Sequence, residues 1–249
     1  MGTVVSLLAT DASAGVIADV ENVFTRYDDR YSLYKPGSEL SRIACGEIAL
    51  ADAEQELRDT YATALEWRNR TGGAFTPHRP DGVIDLNGIV KAQAMADAAA
   101  ALADVTDWCL NVGGDVLCSG SEPGGDAWSV GIVDPLDRSA VLFAVTLPPG
   151  YSAVATSGIS ERGDHIWRSH GTGDLVQATV VADGIVLADV LATAIIAGGE
   201  QTLELVLRDF DVHVMAVRAD GSMLGTPRMN GLLATPNREP GEVLHLIEP

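Results

Sequence analysis

The stretch Thr179 to Ala197, TVVADGIVLADVLATAIIA, constrains this chain more than any other. It opens as a β-like run at Thr179, Val180 and Val181, turns at Asp183-Gly184, and continues as an apolar helix from about Ile185. Within that helix stand one carboxylate, Asp189, and one hydroxyl, Thr193. Four residues apart, they lie one above the other on a single helical face. An acid on an apolar helix is costly to bury without a partner. A carboxylate and a hydroxyl side by side offer the hard oxygen ligands that Mg2+ takes alongside phosphates. The plainer alternative is an acid near a helix N-terminus, favoured by the dipole, with Thr193 bonded back to a carbonyl.

The rest of the composition sharpens that choice. The chain has 249 residues, 47% of them hydrophobic, which is enough for a substantial core. The formal charge of −19 argues against nucleic acid and anionic membranes as partners. It also means that any phosphate ligand needs a metal or a local cation. Only two lysines occur, Lys35 and Lys91, so their positions carry information. No apolar run reaches the roughly 18–20 residues of a membrane span, and no signal-like segment or lipobox opens the chain, so a cytoplasmic location is expected unless a leader was trimmed. Cys45, Cys109 and Cys118 lack metal-ligand spacing and read as reduced thiols.

Taken in order, a first strand lies within MGTVVSLLAT and an amphipathic helix runs from Ala14 to about Tyr27. Arg26, Arg30, Lys35 and Arg42 surround Tyr31 and Tyr34, a grouping that suits either a solvated surface or the edge of a planar ligand. A helix from Asp52 to about Thr71 ends at Gly72-Gly73. The loop GGAFTPHRPDG follows, in which Phe75 reads as exposed. Next, a short strand at Val83–Leu86 gives way at Asn87-Gly88 to an Ala-rich helix starting near Ile89. Such a junction directs backbone amides toward an anion. Lys91, in the first turn of that helix, stands where the dipole disfavours a cation, so it calls for a negative partner.

The remainder is rich in strands, around Trp108–Ser119, whose Gly113-Gly114-Asp115 permits close backbone approach or a bulge, Trp128–Val133, Ala140–Leu147, Ser152–Ala155, Gln177–Val181, Val212–Arg218 and 243–247. A further helix covers Gln201–Phe210. The polar segment 155–174 carries Ser157, Glu161, Arg162 and His165. The expected architecture is one α+β domain (mixed α/β) over residues 1–249, an antiparallel sheet with helices on one face.

Eight segments, in order, resemble the FAD:protein FMN transferase (ApbE) family: MGT, YSLYKPGSELSRI, GGAF, VIDLNGIVKA, LNVGGDVLCSG, WSVGIVDP, AVATSGISERGDHI and ADVLATA. The resemblance implies a single ApbE-like domain binding FAD and Mg2+. It would transfer FMN to a Ser/Thr hydroxyl of a target flavoprotein and release AMP. It implies a metal site of Asp189, Thr193 and the Gly88 carbonyl, and FAD contacts at Met1, Tyr34, Ala74, Phe75, Thr76, Asp85 and Lys91. His165 would be the general base. The chain departs from the family pattern at Thr76, usually Asp, at Ala92, usually Gly, at Ser160, often Tyr, and at 167–170, all bordering the nucleotide and acceptor side. Two other activities fit the same residues: hydrolysis of FAD to FMN and AMP, and non-catalytic FAD binding.

Overall fold

The computed structural model describes residues 3–159, 174–234 and 244–246. The strand–turn–helix of the opening stretch lies at its centre. Strand β7 (Leu175–Ala182) is buried at all eight positions, and helix α5 (Ile185–Asp209) packs back onto it. A strand buried on both faces shows no polar alternation. Val180 points into one core and Val181 into another.

The sheet containing β7 has eight strands. Its order is β1 (Val5–Ala9), β2 (Trp108–Val112), β3 (Asp115–Ser119), β6 (Ala153–Gly158), β7, β8 (His213–Arg218), β9 (Met223–Gly225) and β11 (Leu244–Leu246). All neighbours are antiparallel except β9 and β11. On one face lie helices α1 (Ala14–Tyr31), α4 (Asn87–Ala101) and α5. They share a core that includes Phe24, Ile89, Met95, Leu110, Leu191 and Ile195. Leu191 and Ile195 are fully buried, so truncating either to alanine costs about 2–5 kcal/mol.

The opposite face is covered by a feature the sequence reading did not separate out. A second sheet orders β10 (Leu233–Ala234), β5 (Val141–Thr146) and β4 (Ser129–Val133). Trp128, Val130, Phe143 and Val145 from this sheet pack on Val116, Val154, Val181, Met215 and Val217 of the large one. The expected fold class stands, with helices on one face and this small sheet on the other.

Several boundaries differ from expectation for identifiable reasons. Helix α3 spans Gln55–Arg70, because Leu50–Asp52 forms a separate 3-10 turn. Gly72 and Gly73 follow with φ of 62° and 89°, the left-handed conformation that stops a helix. The strand expected at Val83–Leu86 is not formed. Asp85 N–H donates to the Pro77 carbonyl and Arg79 N–H to the Val83 carbonyl, so the segment folds onto its own loop with a single bridge, His78 to Ile84. The Trp108–Ser119 run is a tight hairpin of β2 and β3, turning at Gly113 (φ 61°) and Gly114 (φ 96°).

Helix α5 continues past Ala197, through a break at Gly199 (φ 67°, ψ −154°), into the helix expected at 201–210. At Gly198 a Cβ would lie 1.9 Å from Thr202 Oγ1 and 2.9 Å from Ala74 Cβ, so the close approach of the GGAF loop requires glycine there. By length and composition α5 is the one helix among the described residues that could cross a bilayer; 61% of its most apolar window is buried inside the protein.

Candidate active site

The acid on the apolar helix has found a partner. Asp189 is buried, 3% exposed, and its Oδ1 lies 3.4 Å from Lys91 Nζ on α4. Lys91 also forms an ion pair with Asp115 Oδ2 at the start of β3, and Asp115 is fully buried. Three elements distant in sequence thus meet on one ammonium group. The requirement for an anionic partner at Lys91 is met twice. The helix begins at Asn87, so Lys91 stands in its second turn and reaches across to α5 and the sheet.

Asp115 is fixed from the other side as well. Its Oδ1 accepts a hydrogen bond from the Thr156 backbone N–H on β6, at 3.0 Å. The Thr156 hydroxyl bonds that of Thr179 on β7, at 3.0 Å. The next residue, Ser157, places Oγ 3.1 Å from Thr193 Oγ1. One turn below Thr193 on α5 is Asp189, so the strand and the helix together present a carboxylate and two hydroxyls.

Within the triad two carboxylates share one ammonium. The available donors are all hard oxygens, the class Mg2+ prefers, with no sulfur or imidazole among the described residues here. Gly88, whose carbonyl belongs to the expected metal site, lies in the first turn of α4 beneath Phe75. A Cβ at Gly88 would sit 2.9 Å from Phe75 Cε2, so the ring requires glycine. These residues fit a small divalent cation.

The other expected positions fall as follows. Phe75 is buried, 3% exposed, not exposed as its loop suggested; its N–H donates to Thr71 Oγ1, which folds the GGAF segment inward. Ala74 packs on Gly198, and Thr76 Oγ1 accepts from the His78 backbone N–H at 3.3 Å. Asp85 Oδ1 accepts the Asn87 N–H at 2.9 Å, so a carboxylate already meets the first amide of α4, where an external anion was expected. Tyr34 is 79% exposed. Met1 and His165 lie outside the described residues, as do Glu161, Arg162 and Ser160.

The suggested cationic edge around the tyrosines is not assembled. Tyr31 is buried within α1 and bonds Thr60 Oγ1 at 2.9 Å. Arg30 pairs with Glu56 and Glu39, Lys35 with Asp28 and Asp29, Arg26 with Asp97, and Arg42 with Glu47. These pairs neutralise each cation locally; Arg26, Lys35 and Arg42 do so at the surface, while Arg30 and Tyr31 are packed inward. Asp115 is the residue that sequence reasoning passed over. Its Gly-Gly-Asp segment points to a bulge or a close backbone approach rather than to an acid, although the scarcity of lysine implies an acidic partner for Lys91.

The chain is similar to proteins of one known family. The model of the ApbE family matches residues 1–79 and 78–216. An FAD:protein FMN transferase from Rhodobacter capsulatus is 32% identical over 177 residues, 66% of this chain and 33% of that protein. The chain thus corresponds to about a third of that relative's length. Among solved structures, the flavin transferase ApbE from Vibrio cholerae superposes with a TM-score of 0.74 at 20% identity, covering 94% of this chain and 96% of that one. The ApbE protein from Thermotoga maritima gives a TM-score of 0.77 at 19% identity, covering 94% and 97%. The family model covers most of the chain, including Lys91, Asp115 and Asp189, and on that ground the chain belongs to the ApbE family.

Proposed function

We propose that the chain is an FAD:protein FMN transferase: it cleaves the FAD diphosphate, joins FMN through a phosphoester to a Ser/Thr hydroxyl of an acceptor flavoprotein, and releases AMP. The observation that carries this reading is the buried triad of Lys91, Asp115 and Asp189 beside the Ser157–Thr193 hydroxyl pair, in a chain of the family to which the 32% identical transferase also belongs.

Asp189, Thr193 and the Gly88 carbonyl would hold Mg2+, which supplies positive charge to the diphosphate and to the AMP leaving group when bound. The chain's own residues do the positioning. Asp115 holds Lys91 against Asp189 and, through Thr156 N–H, ties both to the sheet. Pre-set polar groups of this kind need little reorganisation when charge develops on the phosphate. The buried Phe75 ring closes one side of the first turn of α4 at Gly88. His165 would accept the proton of the attacking hydroxyl. Ala74, Phe75, Thr76, Asp85, Lys91, Tyr34 and Met1 would line the FAD nucleotide.

The test is incubation of the purified chain with FAD and MgCl2, with and without a flavoprotein acceptor domain, following AMP by chromatography and label on the acceptor by flavin fluorescence after denaturation. AMP that appears only with the acceptor, together with a labelled acceptor, supports the transferase. AMP without acceptor identifies an FAD diphosphatase, and FAD binding with no AMP identifies a non-catalytic flavin binder. Asp189→Ala is expected to abolish Mg2+-dependent turnover while leaving the circular dichroism spectrum unchanged; retained turnover would remove Asp189 from the metal site.

A further inference from the structure

Two of the three cysteines, at opposite ends of a sequence gap with no metal-like spacing, are brought together by the β2–β3 hairpin. Cys109 and Cys118 are directly opposed in register, and their sulfurs lie 3.1 Å apart. The two-residue turn at Gly113-Gly114 sets the hydrogen-bonding phase of this ladder. Val112 and Asp115 close the turn as a bonded pair, so three steps on Cys109 and Cys118 form a non-bonded one. The Cys118 N–H accordingly turns away from β2 and donates to the Ser152 carbonyl beside β6, at 2.8 Å. Non-bonded pairs bring Cα atoms to about 4.5 Å, inside the range a disulfide spans. Little backbone movement separates the dithiol from a cross-link.

Access and chemistry agree with the geometry. Cys118 lines a cavity of about 520 Å3 bounded by Ser119, Trp128, Leu147, Pro149 and Tyr151. Cys109 is only half-buried. The Cys118 S–H points at Cys109 Sγ, and this hydrogen bond holds the Cys109 thiol below its ordinary range; the same bond and burial push Cys118 up. One sulfur is thereby prepared as the attacking thiolate and the other retains the shared proton. Cys45 is exposed and lies outside this arrangement.

We infer that Cys109 and Cys118 are a redox-active dithiol that a small-molecule disulfide of the glutathione type converts, in the folded protein, to a cross-strand disulfide. Cys109 Sγ attacks one sulfur of the small disulfide; its S–S bond breaks, one thiolate leaves, and a mixed disulfide forms. Cys118 Sγ, giving its proton to the departing thiolate, attacks Cys109 Sγ and expels the second small thiol. The protein loses two hydrogen atoms, and one small disulfide becomes two thiols. The product staples β2 to β3 three residue pairs from Asp115, the residue that holds Lys91.

The experiment uses the full chain carrying Cys45→Ser, incubated under native conditions with oxidised glutathione and then unfolded for thiol titration, intact mass and peptide mapping. The expected result is loss of both thiols, a mass lower by two hydrogens, a peptide pair joined through Cys109 and Cys118, and reversal by dithiothreitol. The oxidised form should melt roughly 5–10 °C higher, from the constraint on the unfolded chain. Cys118→Ser, which lacks the resolving sulfur, should instead keep one glutathione on Cys109. Two free thiols after native oxidation, cross-linking only in denaturant, or stable glutathione adducts on both sulfurs would overturn the inference.

Discussion

Replacing Lys91 by methionine probes the structure at its most charged interior point. The ammonium carries two ion pairs, to a fully buried Asp115 and to Asp189. Methionine matches the length and loses the charge, leaving two carboxylates facing each other in the interior. Removing one partner of a buried pair costs about 3–5 kcal/mol, because the remaining charge keeps its desolvation penalty. Lys91 is only 12% exposed, so solvent offsets little of this. A net stability of about 5–15 kcal/mol leaves the variant folded. At roughly 2–4 °C per kcal/mol for a chain of this length, the melting temperature should fall by roughly 6–20 °C. The assay is thermal unfolding by near-ultraviolet circular dichroism in EDTA at physiological ionic strength, so that no divalent ion substitutes for the ammonium. The double variant Lys91→Met with Asp115→Asn separates charge from packing. Asparagine keeps an acceptor for Thr156 N–H while removing one negative charge, so the double variant should be more stable than Lys91→Met alone. A single variant within about 0.5 kcal/mol of the parent, or strictly additive losses in the double, would refute the account of the triad.

Gly88→Ala should destabilise the fold by about 1–3 kcal/mol, since its Cβ falls 2.9 Å from the buried Phe75 ring; an unchanged urea midpoint would show that the ring yields freely. His213 is buried against Tyr151, and burial, then the Arg228 charge, lowers its pKa. The unfolded chain therefore takes up a proton at a higher pH than the native one, so stability is full above about pH 7 and declines as pH falls through about 6.5. His213→Phe should flatten that decline in denaturation curves recorded from about pH 7 to well below pH 6.5; an unaltered slope would place its origin elsewhere. His165→Ala is expected to reduce transfer to the acceptor much more than FAD affinity, read by single-turnover kinetics beside equilibrium titration, and equal losses in both would make His165 a structural residue.

Much of this architecture is legible in the sequence because its elements are locally determined. Ser13 caps α1 and Ser38 caps the short helix α2 (Glu39–Ala44), each accepting a backbone N–H, at Val16 and Ser41. Gly72-Gly73 stops α3, and the alternation of Ser129–Val133 survives as a buried–exposed pattern. What local pattern could not supply was the partner of each element. The strand expected at Val83–Leu86 has the right residues, yet no neighbouring strand offers it a ladder, and it closes on Pro77 and Arg79 instead. Phe75 sits in a Gly/Pro-rich loop, where exposure is the ordinary outcome, and is buried because Gly88 and Gly198 leave room for its segment. The site shows the same division. Asp189 and Thr193 are visible as neighbours from their spacing alone, whereas Asp115 meets Lys91 only in the folded chain, where the Thr156 N–H of β6 holds its other oxygen.

The scarcity of lysine, combined with the burial of one of the two, turns the protein into its own gauge. Lys35 is 46% exposed on the surface and Lys91 is 12% exposed in the triad. Among its lysines, an amine-selective acylating reagent therefore meets one open target and one guarded target on the same molecule. The ratio of modification at the two, read from a single digest, cancels dose and reaction time. What is left records how often the interior of the triad opens, and any substrate seated above Lys91 would register as a fall in that ratio with the surface lysine unmoved.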